Sequence, residues 1–179
     1  QVTSAYGRTQ PNFSIRGISV ANEFSAATAS PVGVYVDEVY QSFRASHGQQ
    51  LFDLESVEVL RGPQGTLYGR NTTGGAVNVN TVKPSLEEGM SGFLNVRLGN
   101  YSYADFTGAV EATIIPDVLG VRLSGAVSEA DGYVDNTLLG TDHPQTSSTA
   151  GRLSVLWRPS DKTNIHAKVY WAENDPRQD

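Results

Sequence analysis

The chain has no cysteine in its 179 residues and a single methionine. Without thiols there is no disulfide, no zinc–thiolate centre and no cysteine nucleophile. It also lacks any apolar run approaching the roughly 20 residues of a membrane-spanning helix, and nothing in it reads as a secretory leader. Charge is sparse, with 18% charged residues and a formal net charge of −6. That balance argues against a surface built to hold phosphates, so nucleic acid is not an expected partner. The three histidines, His47, His143 and His166, are scattered without ligand spacing, and no metal site is predicted. Serine, histidine and aspartate occur, but nothing resembles a nucleophile elbow. The glycine-rich segment GRNTTGG at 69–75 lacks the Gly-Lys-Ser/Thr ending of a phosphate cradle. No catalytic constellation and no cofactor site is predicted, so the chain does not read as an enzyme.

What is present is a wealth of turn formers, 18 glycines and 8 prolines, beside 39% apolar residues, a β-rich profile. The acidic surplus is uneven: residues 1–84 carry 6 basic and 6 acidic groups, whereas 85–179 carry 7 and 13. Two differently used regions are therefore expected, a mixed α+β domain over 1–84 and a run of antiparallel strands over 85–179. In the first region, residues 13–17, 32–39, 57–60 and 76–82 alternate or concentrate apolar residues as short strands do. Long polar loops at 19–30 and 40–50 separate the first of these, and Pro63 is suited to open a brief helical turn.

The stretch 51–84, LFDLESVEVLRGPQGTLYGRNTTGGAVNVNTVKP, is the most specific part of the chain. Val57-Glu58-Val59-Leu60-Arg61-Gly62-Pro63, then Tyr68-Gly69, Gly74-Gly75, Val77 and Asn78, follow in an order that matches a known signature. Upstream stand Ile15-Arg16-Gly17 and Val34-Tyr35-Val36-Asp37. Together these resemble the plug domain of TonB-dependent outer-membrane receptors, whose hallmark is an IEVLRGP strand followed by a YG-x₃-GG turn and strand. Four ordered matches over some seventy residues are far more specific than a lone glycine motif.

From Met90 onward five runs of about ten residues alternate apolar and polar faces: 90–98, 105–114, 119–128, 152–158 and 164–171. A soluble antiparallel sandwich alternates in the same way. Arg97, Glu111, Arg122, Arg152 and Lys168 fall in mid-strand on the polar face, as in a wet lumen, and Tyr101, Tyr103, Trp157, Tyr170 and Trp171 fall near strand ends, as in interfacial girdles. The resemblance turns this into an expectation: residues 85–179 form the first five strands of an incomplete 22-stranded transmembrane barrel in the outer membrane of a Gram-negative bacterium. Short turns at 115–118 and 159–163 are then periplasmic, and the acidic loop 131–147 lies outside. On this reading the chain starts downstream of the receptor's coupling segment, the TonB box, and stops before the remaining strands.

The family implies active uptake of a scarce solute such as a ferric siderophore, energised by TonB through the proton gradient. It further implies that Arg16 and Arg61, with Glu58 in the same network, pair with glutamates on the inner barrel wall; the plain alternative is solvated surface arginines. The loops carrying Phe24, Tyr40, Phe43, Arg44 and His47 are expected to face the solute, offering aromatic surface, donors and positive charge to an anionic chelate. The partners expected are thus TonB, an extracellular solute and outer-membrane lipid. One departure stands out: Asp37 is followed by Glu38 where the family usually has glycine. The rival function is a soluble β-rich ligand-binding module of the carbohydrate type.

Overall fold

The computed structural model describes residues 2–3, 11–20, 28–44, 47–48, 51–131, 134–136, 141–143 and 145–177, with the backbone alone described at 3, 134–136, 141–143, 145–146 and 176–177. It resolves into two compact units, Gln1–Val82 and Lys83–Asp179.

The N-terminal unit is built on a four-stranded sheet. Strands β3 (Val32–Val36) and β6 (Gly75–Thr81) run parallel at its centre, with β4 (Val39–Tyr40) and β5 (Leu54–Arg61) antiparallel on the two edges. A separate two-stranded pair joins β1 (Val2–Thr3) to β2 (Asn12–Phe13). β3 reads VGVYV and is buried throughout, as a central strand of parallel pairing should be. Val32, Val36, Val77 and Val79 share one face and close with Ile15 into the core, with Phe13 and Leu54 packed against it. Two sequence expectations shift here. The segment 32–39 is broken by a turn, because Asp37 and Glu38 both take positive φ, 48° and 70°. The Ile15-Arg16-Gly17 segment is a turn rather than the end of a strand: Arg16 and Gly17 have φ of 53° and 80°, and Ile15 and Ile18 exchange backbone hydrogen bonds across them. The helical turn after Pro63 is present as α1 (Gly65–Tyr68). Gly75 is required where it stands: its φ is 146° and any Cβ would collide with the Leu60 carbonyl of the neighbouring strand.

The C-terminal unit is a five-stranded antiparallel meander of β7 (Met90–Leu98), β8 (Ala104–Ile115), β9 (Leu119–Ala130), β12 (Gln145–Ser160) and β13 (Thr163–Arg177). Between β9 and β12 the expected acidic loop contains a small antiparallel pair, β10 (Val134–Asn136) and β11 (Thr141–His143). β12 and β13 are 16 and 15 residues long, well beyond the 152–158 and 164–171 read from alternation. The reason is visible in the register. Past Trp171 the row facing outward becomes Val127–Thr149–Glu173 and then Glu129–Ser147–Asp175, so backbone pairing continues where the apolar face ends.

Exposure in this sheet is inverted relative to a water-soluble one. Val110, Leu123, Leu153 and Val169 form one in-register row across four strands, and all four are exposed, Val169 at 70%. Leu94 is 71% exposed as well, and Val121 and Val155 are only half-buried, so these side chains do not gather in a dry interior. The alternate face carries the buried residues, Asp105, Arg122, Ser124, Arg152 and Ser154.

Candidate functional site

Each unit carries a polar constellation, and the two are built differently. In the N-terminal unit it lies on the sheet face opposite the valine core. Tyr35, which alternates with the core valines on β3, sits between two other rings, 5.4 Å from Tyr40 and 4.9 Å from Tyr68. Its hydroxyl donates to the Tyr68 carbonyl at 2.6 Å, and burial, helped by the two neighbouring phenols, pushes its pKa up. Asn71 Nδ2 donates to the Tyr40 hydroxyl at 2.8 Å. At the end of β3, the Asp37 carboxylate accepts from the backbone and hydroxyl of Thr81 at 2.8–3.0 Å, clamping the β3–β4 turn to the end of β6.

Residues after β4 turn inward. His47 is 3% exposed and Arg44 7%. His47 Nε2 lies 3.1 Å from the Gln41 carbonyl, which only accepts, so the proton is on Nε2. Phe13 stands 6.4 Å from the imidazole. Burial pushes the His47 pKa below its usual value and the Arg44 charge adds to that, while the hydrogen bond to Gln41 works the other way.

In the C-terminal unit the polar face is laced with charge pairs between adjacent strands. Arg122 meets Glu111 at 2.9 Å, and Glu111 accepts from Ser91 at 2.8 Å, all within the in-register row Ser91–Glu111–Arg122–Ser154–Lys168. Arg97 meets Asp105 at 2.6 Å, with the Tyr103 hydroxyl 3.0 Å from the same carboxylate. Alternation had placed these charges on one face, but only register pairs them, and register depends on turn lengths.

Such a mixed four-stranded unit followed by antiparallel strands of inverted polarity has known counterparts. Residues 1–76 match the TonB-dependent receptor plug domain. The pesticin receptor of Yersinia enterocolitica is 34% identical over 152 residues, 83% of this chain and 21% of that protein. The chain belongs to the TonB-dependent receptor family. A second relative, the ferrioxamine B receptor of Salmonella typhimurium, is 30% identical over 132 residues, covering 70% of the chain and 17% of its own length. Among solved structures the ferric yersiniabactin uptake receptor FyuA of Yersinia pestis superposes with a TM-score of 0.83 at 26% identity, over 96% of this chain and 27% of that one. The chain thus spans between about a sixth and about a quarter of the length of these relatives. The family is one of receptors, not enzymes.

The residues singled out from the sequence of this plug fall into three groups. Arg16, Glu58 and Arg61 are exposed, and among the described residues none of them forms an ion pair. Tyr40 and exposed Phe43 lie on or just after β4, beside buried Arg44 and His47. Phe24 lies outside the described residues. The sequence marks Tyr35, Tyr68 and Asn71 only as motif or loop positions. Their signal was available in part, since Tyr35 stands at a polar-face position of an otherwise valine-rich strand.

Among the described residues no group of histidine and carboxylate side chains is placed to hold a metal ion, and no helix is long and apolar enough to cross a membrane. The second statement has no bearing on crossing by strands.

Proposed function

We propose that this chain is part of an outer-membrane transport receptor that takes up a scarce solute, a ferric siderophore or a similar chelate, with energy delivered by TonB. In this reading the five-stranded sheet is a sector of a transmembrane barrel, of 22 strands when complete, and the N-terminal unit is the movable gate. The observation that carries the reading is the inverted exposure of that sheet, with Leu94, Leu123, Val169 and Trp171 outward and Arg122 and Arg152 buried. In water such a surface would be a large exposed apolar patch, whereas in lipid it is the lowest-energy arrangement. The dimensions agree. On β9 the outward apolar positions run from Leu119 to Val127, roughly 26 Å along the strand and about 20 Å along the membrane normal at a 40° tilt, close to the band of known barrels. Trp157 and Trp171 stand outward near its two margins on β12 and β13, where aromatic belts form.

The named relatives are receptors for ferrioxamine B, ferric yersiniabactin and pesticin, which favours an iron chelate as the solute over a saccharide. Tyr40 and exposed Phe43 supply the solute-facing surface of the gate in this proposal, whereas Arg44 and His47, expected from the sequence to face the solute as well, are buried. Arg16, Glu58 and Arg61, exposed and without an ion pair among the described residues, hold it against glutamates of the wall. Deleting the gene in its host and measuring uptake of radioactive iron as ferrioxamine B and as ferric yersiniabactin tests the function. Loss of uptake of at least one chelate is expected, with the same loss when a protonophore collapses the proton gradient. Unchanged uptake of both, or recovery of the protein in the soluble fraction, would overturn the reading.

A further inference from the structure

We propose that Tyr40 and Asn71 form a latch that ties the tip of the 69–74 loop to the β3–β4 hairpin and lets that loop open without unfolding the sheet. The loop is held in two places of different character. At its base the bonds are between backbones: Gly62 N–H to the Gly74 carbonyl at 3.2 Å, and Gly74 N–H to the Pro31 carbonyl at 2.9 Å. These extend the β3–β6–β5 sheet and can be lost only with it. Nearer the tip, Gln64 N–H donates to the Thr72 carbonyl at 2.9 Å, and the Thr72 hydroxyl donates to Gly69 within the loop itself. Among the described residues, the one side-chain hydrogen bond that leaves the 70–73 tip is that of Asn71 to Tyr40, across 31 residues of sequence.

The surroundings suit a contact that can be made and broken. Asn71 has φ of 65°, a left-handed conformation that asparagine tolerates better than other side chains, so the amide is aimed by the backbone before the bond forms. Tyr40 is positioned by its ring contact with Tyr35, whose own hydroxyl is engaged by the Tyr68 carbonyl at the start of the same loop. Thr72 closes over the sheet where β3 has glycine; a Cβ at Gly33 would come within 2.6 Å of the threonine methyl. The loop therefore seats against Gly33 of β3, and among the described residues a single side-chain hydrogen bond, Asn71 to Tyr40, ties its tip to the hairpin. Displacing β4, which leads directly into Gln41, Phe43 and Arg44, moves the Tyr40 hydroxyl and releases Asn71.

The experiment is amide hydrogen exchange on the full chain in detergent micelles. Tyr40→Phe keeps the ring and removes the acceptor. It should raise exchange of the Gln64 amide about fivefold, the worth of one ordinary hydrogen bond, while Gly62, Gly74 and the β3–β6 amides of Val34 and Val77 stay as in the parent. Asn71→Asp tolerates the same φ and reverses the bond, because the phenol then donates to the carboxylate. Its exchange should match the parent, and combining it with Tyr40→Phe should restore the fast exchange. An unchanged Gln64 amide in Tyr40→Phe would overturn the latch. So would a rise shared equally by Gly62, Gly74, Val34 and Val77, which would make the bond a contributor to overall stability only.

Discussion

The two sheets of this chain obey one alternation rule and apply it in opposite senses. In the N-terminal sheet the valines of the central strands β3 and β6 form the core, and the exposed charges, Glu55, Glu58 and Arg61, stand on the edge strand β5. In the C-terminal sheet Leu94, Leu123 and Val169 are exposed, and Arg122, Arg152, Asp105 and Ser154 are buried. Backbone pairing cannot distinguish them, because a β-strand sends successive side chains to opposite faces in either case. What differs is the solvent for which the outer face is selected. A buried guanidinium is tolerable only with partners, and Arg122 has Glu111 across the strand pair. An exposed leucine row on this scale is costly in water. Under the proposed function this row is the lipid-facing part of the chain.

The largest expected effect comes from placing charge on the apolar row. Leu123→Arg in β9 should cost about 3 kcal/mol of stability for the chain folded into phosphatidylcholine vesicles, since arginine near the midplane of a barrel's outer face is opposed by the hydrocarbon. Were that face wetted, the same change at a residue this exposed would fall within about 0.5 kcal/mol. Urea titration of the vesicle-folded protein separates the two outcomes.

In the N-terminal sheet the opposite kind of change does the damage. Val77 is 2% exposed, so Val77→Ala should cost about 2 kcal/mol through lost burial and the cavity left behind. Val59, its partner across the β5–β6 ladder, is half exposed, and Val59→Ala should cost less than half as much. Equal losses in denaturant titrations monitored in this unit would show that the valine face is not the organising core.

These contrasts also show what was legible in the chain before its structure. The five long strands were readable because each alternates over many residues, and so were their faces. Their outer ends were not, since Thr149, Ser147, Glu173 and Asp175 continue the pairing without an apolar side. The ordered motif from Val57 to Asn78 marked the plug, yet it could not say that Arg16 and Gly17 make a turn. That depends on a positive φ at a non-glycine residue, which composition does not announce. For the candidate site, exposure was the hardest part to foresee. Arg44 and His47 read as polar loop residues, but both are buried, and a short turn bonded through Gln41 is what brings them in. The Tyr40–Asn71 bond joins residues 31 apart and has no local sequence signal.

A smaller effect should distinguish the two units by pH. His47 has its folded pKa lowered, so the unfolded chain binds its proton more readily than the folded one. Stability from this group is complete above the unfolded value of about 6.5 and declines as pH falls from there toward the folded pKa, below which it changes no further. The slope cannot exceed about 1.4 kcal/mol per pH unit for one proton. Denaturant midpoints of the N-terminal unit, followed between neutral pH and mild acid, should fall in that window in the parent, and His47→Gln should remove the fall. A decline of the same size in the variant would assign it to other groups.

The finest test concerns the β3–β4 turn, where this chain carries Asp37-Glu38 in place of the family's usual glycine at the second position. Both residues have positive φ, the requirement of a two-residue hairpin turn whose twist matches its strands. Asp37 is compensated, since its carboxylate is held by Thr81. Glu38 is exposed and takes the left-handed conformation with a Cβ, at a cost of about 1–2 kcal/mol. Glu38→Gly removes that strain but gives the unfolded chain more freedom, which offsets roughly 0.5–1 kcal/mol of the gain. A net stabilisation of about 0.5 kcal/mol is expected, read as a shift in denaturant midpoint with no change in slope. Destabilisation by Glu38→Gly would mean that the glutamate side chain contributes a contact that outweighs its backbone strain, and the chain's departure from the family pattern would then be an adaptation of this turn, not a tolerated substitution.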